Sequence, residues 1–372
     1  MRPVAPAVLL CLLLTALPPA PSVACTSFCL QTPDGPVFGT NLDLAFGDGH
    51  VFVNPHGIAK EGFRTGLQGE TATWTSRYGS VTFSLIGREF AWGGMNEAGL
   101  VMTTMELMVS ELPPPDERIP FDSGALVQYI LDTSGTVPEA VERMRELRLV
   151  DDGNSPSHFL VADASGDCAA VEYLGGELVV HTGRDLPIPA LANATYGASV
   201  AYAEHGTLPA FNPGASVERF AAAAARMESF RSESLLAAGS ITAVDYCMDT
   251  LTGTVVAPRK WWTDLFDEPC TRWSIVFDIP RREAHFRTVD SPAVKRLALK
   301  SFDLSCSAPL LMMDVNSPRG GNVEAALAPW DAEENVEIFR SFCERWDLDV
   351  SREDAVGMTL FFGAFECAAP QS

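Results

Sequence analysis

A cysteine at position 25, directly behind Ser22-Val23-Ala24, most narrows what this chain can become. Ahead of it, Met1 and Arg2 open a short positive stretch, an apolar run follows from Val8 to Leu17, and Pro18, Pro19 and Pro21 stop any helix. The run is about half the ~20 apolar residues that spanning a membrane requires. Ser22 and Ala24 are small residues at the two positions a signal peptidase reads. Residues 1–24 therefore read as a secretory signal, and the mature chain, secreted or periplasmic, is expected to begin at Cys25.

A chain that begins with cysteine carries a thiol and a free α-amine on one residue. The amine has a reference pKa of about 7.7–8.0, so near neutral pH a useful fraction of it is an unprotonated base. Taking the thiol proton directly or through a water, it makes nucleophile and base a single residue. Two other readings compete for Cys25: a structural half-cystine, and a lipid-anchored cysteine behind a degenerate lipobox. Lipidation would acylate the amine and abolish its chemistry, leaving an anchored binding protein without catalysis.

Composition excludes several classes. Lys+Arg number 26 against 48 Asp+Glu, a net charge of −22, which argues against nucleic acid or an anionic membrane surface as partner. No Gly-rich segment precedes a Lys-Ser or Lys-Thr pair, so a phosphate-cradling loop is not indicated. Setting aside Cys11 and Cys25 leaves Cys29, Cys168, Cys247, Cys270, Cys306, Cys343 and Cys367, an odd set in which at least one thiol stays free. None of the spacings is a metal-binding Cys-x-x-Cys pair, and the scattered histidines have no metalloprotease spacing. No membrane span follows the signal, and no cofactor is implied.

The segments alternate between strand and helix without a regular βαβ rhythm. Strands are expected at Thr26–Thr32, Val37–Leu44, Val51–Val53, Thr71–Thr75, Ser80–Gly87, Glu89–Trp92 and Gly99–Met108, with turns at Asp34-Gly35 and Gly47-Asp48-Gly49. Helices follow at Ser123–Leu131 and, behind Thr136, at Pro138–Leu147. A hairpin then spans His158–Ala162, Ala169–Tyr173 and Leu178–His181. Ser216–Phe230 is an Ala-rich helix, and Trp273–Ile279 pairs with Ala284–Arg287. This order points to an α+β fold with sheets packed together and helices outside. Residues 25–372 read as one domain with an extension from about residue 304. That extension ends in an amphipathic helix around Glu333–Arg345, expected to be structural.

The order of the pieces resembles the choloylglycine hydrolase and penicillin V acylase family of N-terminal-nucleophile hydrolases. The similarity is carried by Cys25-Thr26, by Phe38-Gly39-Thr40-Asn41-Leu42-Asp43 and by Asn96-Glu97-Ala98-Gly99-Leu100. Leu191-Ala192-Asn193, Ser216-Val217-Glu218-Arg219-Phe220 and Thr271-Arg272-Trp273-Ser274-Ile275-Val276 extend it to about Asp303. The resemblance implies a four-layer αββα sandwich and cleavage of linear, non-peptide amide C–N bonds in a small N-acyl amide. An acyltransferase on the same scaffold is the alternative, and a homo-oligomer is left open.

Carried over residue by residue, the resemblance makes Cys25 the nucleophile, holds its amine and thiol with Asp43, places the Asn193 side-chain N–H at the oxyanion and sets the Arg219 charge beside the thiolate. Glu106 falls where the family supplies a second oxyanion donor, mainly a backbone N–H. Thr40 stands where the bile-salt and penicillin members have an arginine, which implies weaker binding of anionic substrates. Asn193-Ala194-Thr195 is also a glycosylation sequon.

Overall fold

The structure is a computed structural model that describes residues 24–63, 71–150, 156–232, 241–256 and 270–369. Residues 1–23 of the expected signal segment lie outside these.

Strands β1 (Ala24–Thr32) and β2 (Gly35–Leu44) form a hairpin closed at Thr32↔Gly35. Gly35 lies at φ +113°, and a Cβ there would stand 2.6 Å from Pro280 Cγ, so glycine is needed on both counts. The tight turn sets the register of everything behind it, because a slip by one residue would turn every side chain to the other face. That register pairs Ala24 with Asp43 and Cys25 with Leu42.

The hairpin sits inside a seven-stranded sheet. Across it run β14 (Ala190–Leu191), β1, β2, β15 (Cys270–Asp278), β16 (Glu283–Thr288), β17 (Lys295–Ala298) and β19 (Gly321–Asn322). The second sheet has nine strands. They are β13 (Glu177–Thr182), β12 (Cys168–Leu174), β11 (Ser157–Ala162), β8 (Val101–Glu106), β7 (Gly93–Asn96), β6 (Ser80–Ser84), β3 (His50–Asn54), β18 (Leu311–Asp314) and β20 (Ala328–Pro329). Two small sheets flank them: β9 (Ile119–Asp122) with β10 (Leu147–Val150), and β4 (Ile58–Glu61) between β5 (Thr73–Thr75) and β21 (Glu366–Cys367).

Helices cover both outer faces. Helix α1 (Leu126–Thr133) packs on β7 and β8, and α2 (Val137–Glu146), capped by Thr136 as expected, packs on β11 and β12. On the first sheet, α4 (Ser216–Ser232) lies on β1 and α5 (Ala243–Gly253) on β2 and β15, while α3 (Tyr196–His205) packs on α4. The result is an α+β, αββα sandwich. Between the sheets Phe83 meets Phe277 and Phe286 edge-on at ring separations of 5.9 and 5.1 Å, all three fully buried. Burial of each such side chain stabilises the sandwich by ~1.5–3 kcal/mol.

The expected strand Glu89–Trp92 is not a strand. Residues 85–92 form a loop, with Glu89 at φ +72°, and the strand is instead Gly93–Asn96. Its two glycines look like breakers in sequence, yet a Cβ on Gly94 would meet the Val81 carbonyl oxygen at 2.5 Å. They are there because the neighbouring strand comes that close.

Beyond residue 304, β18 pairs with β3 of the second sheet. Helices α6 (Ala332–Arg345) and α7 (Arg352–Gly363) follow, and a disulfide joins Cys306 to Cys367. Among the described residues Cys25, Cys29, Cys168, Cys247 and Cys343 are buried thiols.

Candidate active site

Everything expected of the site gathers at the head of β1. Cys25 is fully buried in the inter-sheet core and lines a cleft with an empty volume of about 780 Å3, open mouth included. With the Ala24–Cys25 peptide bond intact, the Cys25 backbone N–H donates to Asn193 Oδ1 at 2.5 Å. Asn193 follows β14, the edge strand paired to Ser27 and Phe28, and precedes α3, whose Thr195 cap accepts from Ala198 N at 3.4 Å. Strand pairing on one side and a capped helix on the other hold the asparagine in place.

The orientation of that asparagine differs from the sequence expectation. Its oxygen serves Cys25 N and accepts from Arg219 Nη2 at 2.9 Å, while its Nδ2 donates to the Glu106 carbonyl oxygen at 2.9 Å. One N–H of the amide is thus committed to the neighbouring strand, and a primary amide has one more. Asn193 is 2% exposed, so the sequon leaves no room for a glycan.

Arg219, in the first turn of α4, reaches down to the same point. Its Nη1 donates to the Cys25 carbonyl oxygen and, at 2.6 Å, to Thr26 Oγ1, and it stands 3.6 Å from Asp43 Oδ2. A cation is disfavoured by the dipole of a helix N-terminus. The carboxylate and carbonyl partners below supply what the helix does not. Burial pulls the guanidinium below its usual range, against the opposing pull of Asp43.

Asp43 touches Cys25 from β2. Its backbone N–H donates to the Cys25 thiol, and its side chain accepts from Thr271 Oγ1 at 2.5 Å. A register shift between Thr271 and Trp273 in β15 lies beside this pair; bulges of this kind re-aim a side chain next to a site. Burial raises the carboxyl to about 7 against the lowering effects of Arg219 and Thr271. The Cys25 thiol is driven well above its usual range, first by burial and then by the Asp43 charge, with Arg219 opposing.

Glu106 ends β8 and lines the cleft with Cys25. Thr104 N donates to Trp92 O on the β7 side of the strand, while Leu107 N donates to Pro156 O on the other. Backbone groups alternate along a strand, so the Glu106 N–H faces the side of Thr104, where β7 has not yet begun and Ala91 and Trp92 line the cleft. Thr40 is fully buried behind Cys25: its hydroxyl is 2.7 Å from Ser27 Oγ, which is 3.1 Å from Thr103 Oγ1 of the opposite sheet.

Sequence reasoning missed Thr26 and Thr271 as supports, although both lie inside motifs it had singled out. It also took the helix near residues 333–345 as structural only, whereas Phe342 of α6 and Trp346 beyond its end line the cleft. No spacing in the sequence connects residue 346 to residue 25.

A buried cysteine at the head of a central hairpin has an aspartate, an asparagine and an arginine converging on it inside an αββα sandwich, the fold expected of an N-terminal-nucleophile hydrolase. Residues 25–195, a little under half of the chain, match the family model of linear amide C–N hydrolases, choloylglycine hydrolase family. It is 29% identical over 188 residues to a penicillin V acylase of Pectobacterium atrosepticum, an alignment covering 45% of this chain. The matched segment spans about half (49%) of that relative's length. Among solved structures, a penicillin V acylase from Agrobacterium tumefaciens superposes with a TM-score of 0.68 at 25% identity, covering 82% of this chain and 98% of its own. A mutant of the conjugated bile acid hydrolase from Clostridium perfringens, at 15% identity, shares the fold with a TM-score of 0.65, over 80% of this chain and 98% of its own.

Proposed function

We propose that this protein is an exported amidase that hydrolyses linear N-acyl amides through Cys25 once the bond after Ala24 has been cut. The observation that carries the reading is the Cys25 backbone nitrogen held at 2.5 Å by Asn193 Oδ1, with Arg219 and Asp43 on the same residue. Cleavage turns that nitrogen into an α-amine already oriented next to its own thiol.

The chemistry then runs in two halves. The amine takes the thiol proton as sulfur attacks the amide carbonyl, and the C–N bond breaks as the departing amine collects that proton. A thioester on Cys25 remains. Water, deprotonated by the same α-amine, attacks it, releasing the carboxylic acid and restoring the thiol. The second Asn193 N–H and the Glu106 backbone N–H suit the charge developing on the carbonyl oxygen. Every group in this scheme belongs to the protein, the substrate or water.

Two measurements test the reading. Intact mass and Edman sequencing of the exported protein should show a free Cys25 at the N-terminus; a start elsewhere, or a mass raised by acyl chains, would overturn it. N-acyl amides incubated with the purified protein should yield free acid and amine, and adding a competing amine should not divert the acyl group into a new amide. Diversion would make the enzyme an acyltransferase.

A further inference from the structure

The match to the family ends at residue 195, yet two aromatic residues in the cleft come from far beyond it. Phe342 and Trp346 stand against each other at 6.0 Å, and each packs edge-on against Phe46, at 6.3 and 6.0 Å. Phe46 follows β2, whose Leu42 and Leu44 line the cleft next to Cys25. Arg345 lies over the Phe46 ring and pairs with Asp48, which pins the end of α6 to the hairpin that carries the site.

The same segment also holds the opposite wall. The cleft residues Ile86 and Phe90 belong to the loop of residues 85–92, and Asn335 of α6, fully buried, accepts from Arg88 N at 2.9 Å while donating to Thr359 of α7 at 3.1 Å. Phe362 of α7 backs Phe90 at 5.4 Å. The C-terminal segment therefore touches the cleft twice, directly through α6 and from behind through α7.

From this arrangement we infer that Phe342 and Trp346 determine acyl-group specificity, and that the group they select is an extended apolar acyl chain. The inference rests on the amidase reading. After the C–N bond breaks the acyl group stays on Cys25 while the amine departs, so the walled, apolar part of the cleft suits the part that stays. Among its described lining residues the only carboxylate is Glu106, at the Cys25 end. A chain of methylenes laid along Leu44, Phe342 and Trp346 leaves water as these side chains close on it.

The test is a series of amides of one amine carrying acetyl, hexanoyl and decanoyl groups. For the wild-type protein kcat/KM should rise along the series. Trp346→Ala and Phe342→Ala should each lower the decanoyl-to-acetyl ratio about tenfold, as expected from losing burial of one to two methylenes' worth of contact. The change should sit mainly in KM, and Trp346→Phe should restore most of the ratio. Leu360→Ala, an exposed position on α7, should leave it unchanged. An unaltered ratio in both alanine variants, or recovery absent in Trp346→Phe, overturns the assignment. Binding of decanoate to the Cys25→Ala protein, by calorimetry, separates this from failure of the amidase reading. Weaker decanoate binding in the Trp346→Ala background supports the wall even if no amide is turned over, and equal binding overturns it.

Discussion

At the scale of single residues, the site is built from groups held away from their ordinary protonation states. Burial raises the Cys25 thiol and the Asp43 carboxyl together, and the nearby Arg219 opposes both shifts without cancelling them. In the uncleaved chain the thiol is thus kept neutral. On the proposed reading, cleavage after Ala24 would place an ammonium at Cys25, and its positive charge would favour the thiolate. Cys25→Ser and Cys25→Ala should lower amide hydrolysis by at least ~10³-fold with an unchanged circular dichroism spectrum, because a serine or alanine lacks the activated thiol. Cys29→Ser should remain active, since the Cys29 thiol lies in the core against Cys168 and carries no amine. Comparable hydrolysis by wild type and Cys25→Ala would remove Cys25 from the chemistry.

Asp43 also makes the stability of the uncleaved chain depend on pH. Its carboxyl titrates near 3.8 when unfolded and at about 7 when folded. Below the lower value both states are protonated and the stability is fully present. As pH rises to about 7 only the unfolded state gives up its proton, so stability falls by ~4 kcal/mol and then levels off. Urea midpoints of the uncleaved chain should therefore drop between pH 4 and pH 7.5 by clearly more than those of Asp43→Asn. Parallel profiles for the two proteins would show that Asp43 is ionised throughout.

At the scale of elements, two devices hold the cleft in shape. Lys60 of β4 is buried between Glu89 of the cleft loop at 2.8 Å and Asp132 of α1 at 2.9 Å, and Trp74 and Gln128 donate to the same Asp132. Burial alone would lower the Lys60 ammonium, but the two carboxylates outweigh it and hold it above its usual range. Lys60→Met should destabilise the fold by ~3–5 kcal/mol, because it strands buried carboxylates. Adding Asp132→Asn should recover part of the loss, and a Lys60→Met variant with an unchanged denaturation midpoint would show that the network contributes nothing net.

The second device is the Cys306–Cys367 disulfide, which closes a 61-residue loop around α6 and α7. By loop entropy such a cross-link is worth on the order of 4 kcal/mol. Replacing both cysteines with serine should lower the thermal midpoint and make the C-terminal segment the first to be cut by protease. Identical proteolysis patterns for wild type and the double variant would place the stability of α6 and α7 in their packing alone.

At the scale of the whole molecule, charge bears on which substrates are taken. The chain carries a net charge of −22, and the cleft brings Glu106 and Asp43 near Cys25 with Arg219 as their counter-charge. Thr40 adds no cation; its hydroxyl is tied to Ser27 instead. A charge pair at ~4 Å is worth about 4 kcal/mol at an effective dielectric of 20, and solvent in an open cleft reduces this to ~1 kcal/mol, roughly fivefold in binding. Neutral or cationic N-acyl amides should accordingly turn over faster than size-matched anionic ones. Thr40→Arg should narrow the gap, at a cost in stability from placing a guanidinium among the Ser27 and Thr103 hydroxyls. A wild-type preference for anionic members, or an unchanged ranking in Thr40→Arg, would show that charge at this position does not govern selection.

What the sequence determined by itself was local or sequentially ordered. The hairpin around Asp34-Gly35, the Thr136 cap, the Ala-rich helix at Ser216 and the alternating strands follow from turn chemistry and periodicity, which short segments carry alone. Because a two-residue turn dictates register, the closeness of Cys25 and Asp43 was implicit in that hairpin too. Only the tertiary structure decided the rest. Long-range packing made a strand of Gly93–Asn96 and a loop of Glu89–Trp92, since close approach of β6 rewards glycines that local propensity penalises. It turned the Asn193 oxygen towards Cys25 N, because Arg219 donates to that same oxygen and the Glu106 carbonyl accepts from the amide nitrogen at the other end. And it brought Phe342 and Trp346 to the cleft, an apposition set by burial of aromatic surface that no spacing along the chain records.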